Sequence, residues 1–133
     1  MRLQTHAFPL FEKGRYIMGF NQYHEPANEL PEATRTFARM IASLTEETEA
    51  INWYEQRLSV EPDKDARAIM SNAQEEEFKH FGMDLEFLLR RTPVWQAILK
   101  DILFTSGDIV ARGEQGEQAG EQEEQHEQHE QHE

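Results

Sequence analysis

The apolar residues between Asn28 and Val60 recur at the spacing of one long helix. They stand three, four or seven positions apart, as in Phe37, Ile41, Leu44, Ile51 and Leu58. This period is typical of an amphipathic helix. Asn28 is the predicted N-cap, and Pro31 would lie in the first turn, where proline is tolerated. The pattern therefore predicts a helix that ends near Val60 and is about 45 Å long.

A second helix is predicted after the turn that Pro62 and Asp63 mark, and it extends to about Arg91. Its apolar positions follow the same period: Ala66, Ile69, Met70, Ala73, Met83, Phe87 and Leu88. Because the connection is short, the two helices should pack side by side as an antiparallel hairpin.

A third, shorter helix is predicted with Thr92 as its cap and Pro93 as its first residue. Its apolar residues fall on one face: Trp95, Ile98, Leu99, Ile102 and Leu103. The Thr-Ser-Gly sequence at 105–107 should end it. No segment alternates polar and apolar residues as a half-buried strand would, so the predicted fold class is all-α.

Composition changes this picture at the two ends of the chain. From Gly113 onward the sequence reads GEQGEQAGEQEEQHEQHEQHE, with eight glutamates, no Lys or Arg and no large apolar residue. Such a tract buries too little apolar surface to offset its ordering entropy, which predicts disorder. We therefore divide the chain into an N-terminal extension at 1–23, a helical domain at 24–107 and an acidic Glu/Gln/His-rich disordered tail at 108–133.

The charge and the residue types exclude several classes of function. A net charge of −13 leaves no basic patch for nucleic acid. No apolar run approaches bilayer length and the N-terminus has no signal-peptide core, so we expect a cytoplasmic protein without membrane contact. With no cysteine in the chain, disulfides, thiolate metal sites and a Cys nucleophile are excluded.

Three polar residues interrupt the apolar faces that must meet in the hairpin. Glu47 stands between Leu44 and Ile51 on the first helix, while Glu77 and His80 lie one turn apart on or beside the packing face of the second. An unpaired carboxylate in such a place is costly or takes up a proton. We therefore predict that these three residues bind a metal. The neighbouring charges are interpreted as solvent-facing: Glu75, Glu76 and Lys79.

One chain carries only half of a dinuclear site. Di-iron bundles take one Glu from each of two helices and Glu-x-x-His from each of the other two. Glu47, Glu77 and His80 supply one of each. Two hairpins about a two-fold axis would pool four carboxylates, whose charge two divalent cations would neutralise. The prediction is half of a four-helix bundle that dimerisation completes. Its ligands suit Fe(II), and open coordination positions would admit dioxygen.

Four stretches of the chain resemble the encapsulated ferritin family. They are HEPANELPEAT at 24–34, EETEAINWYEQR at 46–57, EEEFKHFGMDLEFLLRR at 75–91 and ILFTSG at 102–107. The resemblance implies that each chain is half of a ferritin-like four-helix bundle and that the homodimers assemble into a ring, typically a decamer. It further implies oxidation of Fe(II) with dioxygen at a di-iron site in the dimer interface. It also implies cargo inside an encapsulin shell, where the ferric product is stored.

The resemblance assigns roles by position. Glu47, Glu77 and His80 match the ferroxidase ligands of the family, and Tyr54 matches an aromatic residue beside that centre. The implied metal is Fe(II)/Fe(III), two ions per dimer interface, with Zn, Mn or Ca able to substitute.

A second site is implied on the same helix. Glu46 and Glu49, with Trp53, match a metal access site that faces the interior of the ring. From the residues alone, both glutamates would be interpreted as solvated charges.

The chain departs from the family at its C-terminus. Family cargo usually ends in a targeting peptide with a Gly-Ser-Leu core, whereas this sequence ends in EQHEQHEQHE. The resemblance implies an encapsulin nanocompartment as the location. The departure leaves three alternatives open: the N-terminal extension replaces the targeting peptide, the sequence belongs to a larger fusion, or the protein is not encapsulated.

Two groups of polar residues have more than one interpretation. Asp84, four residues after His80, could accept the second ring proton of that histidine, but we favour a position facing solvent. His126, His129 and His132 could bind divalent cations weakly, but we favour a solvated linker.

Two functions compete with a ferroxidase. One is a non-catalytic iron or manganese buffer that delivers metal to a partner. The other is a structural helical dimer in which the polar core residues set the register.

Overall fold

The computed structural model describes residues 22–131, and all of its regular elements are helical. A 3₁₀ turn at Ala27–Glu29 precedes four helices: α1 (Glu32–Val60), α2 (Lys64–Leu89), α3 (Pro93–Lys100) and α4 (Ile109–Glu130). The predicted all-α class is confirmed over these residues. Most of the predicted N-terminal extension, at 1–21, lies outside the described residues.

The start of α1 differs from the prediction by one turn. Asn28 lies inside the 3₁₀ turn, and Pro31 is the N-cap of α1. A residue that precedes proline is sterically excluded from the helical region, and Leu30 is accordingly extended, with φ −80° and ψ 134°. The helix therefore begins at Glu32, after the proline, and not at Asn28.

The hairpin of α1 and α2 is formed as predicted. Asp63 caps α2, because its Oδ1 accepts a hydrogen bond of 2.8 Å from the Ala66 amide. Across the same turn, the Arg67 guanidinium donates to the Leu58 and Glu61 carbonyls at the C-terminal end of α1. This short connection holds the two long helices antiparallel, and they pack against each other.

The third helix is shorter than its apolar pattern suggests. It begins at Pro93, as predicted, but ends at Lys100 and continues as turns to Phe104. Phe104 has φ 59°, and Gly107 has φ 92°, a conformation that glycine adopts without strain. These two residues reverse the chain, so that α4 returns along α3.

The prediction of a disordered tail differs from the structure, which is helical over Ile109–Glu130. Asp108 caps α4 by accepting from the Ala111 amide at 2.8 Å. Gly116 and Gly120 are buried against α3, where a methyl group at Gly116 would stand 2.5 Å from the Ile98 carbonyl oxygen. Composition does not reveal this spacing of the glycines. Glycines on one face permit close packing, while Glu and Gln are good helix formers.

The hairpin buries little of its own apolar surface. Within the described residues, only Leu88 and Leu89 are buried hydrophobic side chains. Large apolar residues remain exposed along α1 and α2: Phe37, Trp53, Ile69, Phe78 and Met83. Such a surface is expected of half a bundle. None of the helices between residues 22 and 131 is both long and apolar enough to cross a bilayer.

Candidate metal centre

Glu47, Glu77 and His80 converge in the middle of the hairpin. Each offers one ligand atom, and these atoms lie within 4.8 Å of one another. The His80 Nδ1 is 3.3 Å from the Glu77 Oε2 and 3.9 Å from the Glu47 Oε2. The structure thus brings together the three residues that the sequence predicted as metal ligands; their role as ligands is still a prediction.

The local structure explains this convergence. Glu77 and His80 are one turn apart on α2, so their side chains lie on the same face of the helix. The antiparallel packing of α1 places Glu47 opposite both. Carboxylate oxygens with one imidazole form a donor set that suits Fe(II), Mn(II) or Zn(II).

The cluster lies at an open surface of the protomer. The Glu47 and Glu77 side chains are 20% and 22% exposed, and that of His80 is 44% exposed. Fe(II) and Zn(II) usually take about four to six ligands, and two carboxylates and one imidazole cannot supply that number alone. The site is therefore open on the side that faces away from the hairpin.

The two carboxylates are close enough to share a proton. The pKa of Glu47 is raised from its ordinary 4.5 to about 7. The main cause is a hydrogen bond with Glu77, which needs a proton on one of the two carboxyls; burial and the charge of Glu77 act in the same direction. The charge of His80 opposes the shift. A divalent cation would replace that proton.

Gln74 is a buried polar residue that the sequence analysis missed. Its Nε2 donates to the Ile51 carbonyl at 3.3 Å and to the Glu55 Oε2 at 3.0 Å. It thus joins α2 to α1 one turn from Glu77. The signal was present in the spacing, because a residue three positions before Glu77 lies on the same helix face.

The structure corrects the favoured interpretation of Asp84. Its Oδ2 does not face solvent: it is buried, and it has no hydrogen-bond partner among residues 22–131. Burial raises the pKa of Asp84, and the nearby His80 opposes that rise. The spacing indicates the same helix face, since Asp84 follows Glu77 by seven positions, or two turns.

Tyr54 lies about two turns from Glu47 on α1 and is half-buried. Its ring lies beneath the Arg57 guanidinium, 5.4 Å from the ring centroid, within cation–π range. Both residues belong to α1, and the predicted role of Tyr54 beside the metal centre stays a prediction.

The predicted access residues lie on a separate stripe of α1. Glu46 is exposed, Glu49 is partly exposed and Trp53 is 52% exposed. They do not join Glu47 in the ligand cluster, nor do they form one of their own within the part of the chain that the structure describes. Their predicted role remains untested by this geometry.

His126 and His129, the two tail histidines that the structure describes, do not belong to a group of possible metal ligands, and His132 lies outside the described residues. His126 Nδ1 lies 3.8 Å from Glu130 Oε1, one turn further along α4. Between residues 22 and 131, the Glu47 cluster is the only group of three His, Asp or Glu residues close enough to hold a metal.

Comparison with known proteins identifies the family. A family model described as EncFtn-like matches residues 22–106, which include the hairpin, the cluster and α3. The chain belongs to the EncFtn-like family. The resemblance seen in four stretches of the sequence is therefore confirmed.

Two curated relatives show how far this EncFtn-like chain matches. A ferritin-like protein of Thermotoga maritima is 41% identical over 95 residues, which cover 71% of this chain and 83% of the relative. An encapsulated ferritin-like protein of Rhodospirillum rubrum is 41% identical over 91 residues, or 68% of this chain and 65% of the relative.

A solved structure supports the fold. The crystal structure of protein ne0167 from Nitrosomonas europaea superposes with a TM-score of 0.65 at 42% identity. The match covers 67% of this EncFtn-like chain and 98% of that protein.

Proposed function

We propose that this protein is a ferroxidase that oxidises Fe(II) to Fe(III) with dioxygen at a di-iron site shared by two protomers. The observation that carries the proposal is the open cluster of Glu47, Glu77 and His80. The membership of the chain in the EncFtn-like family supports an iron-related function.

The ligand count is the reason for two protomers. One hairpin supplies two carboxylates and one imidazole, whereas the two-fold pair supplies four carboxylates and two imidazoles. Four carboxylates balance the charge of two Fe(II) ions. The exposed apolar side chains of the hairpin, among them Phe37, Phe78 and Met83, would be covered in the same contact.

The residues have distinct tasks when Fe(II) binds as substrate. Glu47 and Glu77 hold the two ions close together, and His80 supplies one nitrogen to each. Glu47 has a pKa of about 7 and must lose its proton when Fe(II) binds. Fe(II) affinity should therefore rise with pH through about 7. Each Fe(II) gives up one electron; dioxygen accepts two electrons and two protons and leaves as hydrogen peroxide.

Neighbouring residues would serve the path of iron to this centre. Glu46 and Glu49 are carboxylates on the outer stripe of α1, with Trp53 exposed beside them. We assign them the capture of Fe(II) before it reaches Glu47. Tyr54 would hydrogen-bond a ligand carboxylate or supply an electron.

The assembly proposed here is a ring of dimers, typically a decamer, carried inside an encapsulin nanocompartment. The support is the name of the Rhodospirillum rubrum relative, an encapsulated ferritin-like protein. Co-expression with an encapsulin shell protein, followed by isolation of intact shells, tests this part. Chain in the shell fraction is expected; chain that stays outside the shells would contradict it.

The activity is tested by oxidation of Fe(II) in air. Glu47→Ala, Glu77→Ala and His80→Ala should each lose oxidation, measured as ferric absorbance together with oxygen consumption. Glu76→Gln is the matched control, because Glu76 pairs with Lys79 on the outer face, next to Glu77 in sequence. Parent rates in all three variants would contradict the site. Stoichiometric Fe(II) binding without oxygen consumption would favour the buffer function.

A mixing experiment tests whether the site is shared. Parent and Glu77→Ala chains are unfolded together, refolded at varied ratios and assayed. If each site needs both protomers, the activity per chain falls as the square of the parent fraction, whereas a site within one protomer gives a linear fall. A linear fall would contradict the pooled site.

A further inference from the structure

Asp84 stands one turn beyond His80 on α2, within the packed hairpin. Its Oδ2 is buried and accepts no hydrogen bond from residues 22–131. A buried carboxylate oxygen without a donor is unfavourable, and native structures rarely leave one. The unpaired Asp84 oxygen suggests that a hydrogen-bond donor reaches it only in another state of the protein.

The charges place Asp84 in the surroundings of the metal cluster. The charge of His80 acts on Asp84, and that of Asp84 acts in turn on Glu47. Asp84 is therefore close enough to both predicted ligands for its charge to be felt, although it is not one of the three clustered donors.

His80 has a donor that needs such an acceptor. Its Nδ1 faces the carboxylates, at 3.3 Å from Glu77 and 3.9 Å from Glu47. If a metal binds the nitrogen on that side, the other ring nitrogen must carry the proton. Residues four apart on a helix are neighbours, so a rotamer change of Asp84 would bring its carboxylate to the imidazole ring.

We propose that Asp84 is a positioning residue that accepts the hydrogen bond from the His80 ring nitrogen facing away from Glu47 and Glu77 when a metal ion is bound. It would fix the tautomer and orientation of the ring and make it a better ligand, as carboxylates behind metal-bound histidines do. This inference rests on the proposed function, because it needs a metal at the cluster.

Zinc affinity and metal-free stability separate this role from a structural one. Asp84→Leu removes a buried oxygen without a partner, so the metal-free protein should become more resistant to urea. The same variant should bind Zn(II) about 10- to 100-fold more weakly in a chelator competition. Asp84→Asn keeps an acceptor oxygen and should fall between the parent and the leucine variant. A merely structural residue would shift stability and affinity in the same direction.

Zinc binding also separates this inference from the ferroxidase proposal. Unchanged or tighter Zn(II) binding by Asp84→Leu would overturn the role of Asp84 even if the parent oxidises iron. Weaker binding by that variant would uphold it even if the parent binds metal without oxidising Fe(II), a result that would overturn only the ferroxidase.

Discussion

The Gln74 amide donates to the Glu55 carboxylate at 3.0 Å, and this bond joins α2 to α1 beside the predicted metal ligands. Gln74 is buried, whereas Glu55 reaches solvent. Because the bond lies one turn from Glu77, it favours the register in which Glu47 stands opposite Glu77.

We predict that Gln74→Glu weakens the hairpin. The new carboxylate would face that of Glu55 and could no longer donate, so the free energy of unfolding should fall by about 1–3 kcal/mol. Urea unfolding at pH 8 measures the loss. Adding Glu55→Gln restores a donor to the pair and should recover part of it; no recovery would show that the bond does not carry the effect.

The stability of the metal-free protein should depend on the protonation of Glu47. The folded pKa of about 7 lies above the ordinary 4.5, so the folded state binds the extra proton between these values. The resulting stability is fully present below pH 4.5 and is lost as the pH rises through 7.

Urea unfolding in a chelator, from pH 5 to pH 8, measures this loss. We expect roughly 1–2 kcal/mol, less than the full shift implies because the side chain is partly exposed. Glu47→Gln should flatten the dependence. An equally steep loss in that variant would assign the titration to another group.

The glycines of α4 should respond differently to alanine. Gly116→Ala would force a methyl group against the Ile98 carbonyl and push α4 away from α3. The variant should weaken the packing of these two helices by about 1–3 kcal/mol. Gly113→Ala meets no atom within 4 Å, and it should strengthen the helix by up to about 1 kcal/mol. Hydrogen exchange of the α4 amides measures both. Equal protection of the α4 amides in the two variants would contradict the close packing of Gly116 against α3.

Zinc should inhibit iron oxidation at stoichiometric amounts. Zn(II) binds nitrogen and oxygen donors more tightly than Fe(II), and it has no redox chemistry. One Zn(II) per chain should therefore abolish the rate, measured as oxygen consumption. Mg(II), which gives up its water reluctantly, is the control and should have little effect. An unchanged rate with Zn(II) bound would mean that oxidation occurs elsewhere.

Local features of the amino-acid sequence are enough to predict the hairpin and the residues that meet within it. Helical period decides which residues share a face, and a short connection forces two helices together, so Glu47, Glu77 and His80 were predictable. Turn chemistry at Asp63 and Pro93 likewise depends on near neighbours in the chain.

The burial of polar groups and the position of the tail, in contrast, depend on how the helices pack. Spacing places Gln74 and Asp84 on the helix face of Glu77, but the burial of the Gln74 side chain and of the Asp84 Oδ2 depends on how closely α1 approaches α2. The acidic tail was predicted to be disordered because composition counts only the apolar residues of the tail and not those of the helix it packs against. Its partner is Ile98 on α3, and contacts between distant segments depend on packing, which local sequence does not specify.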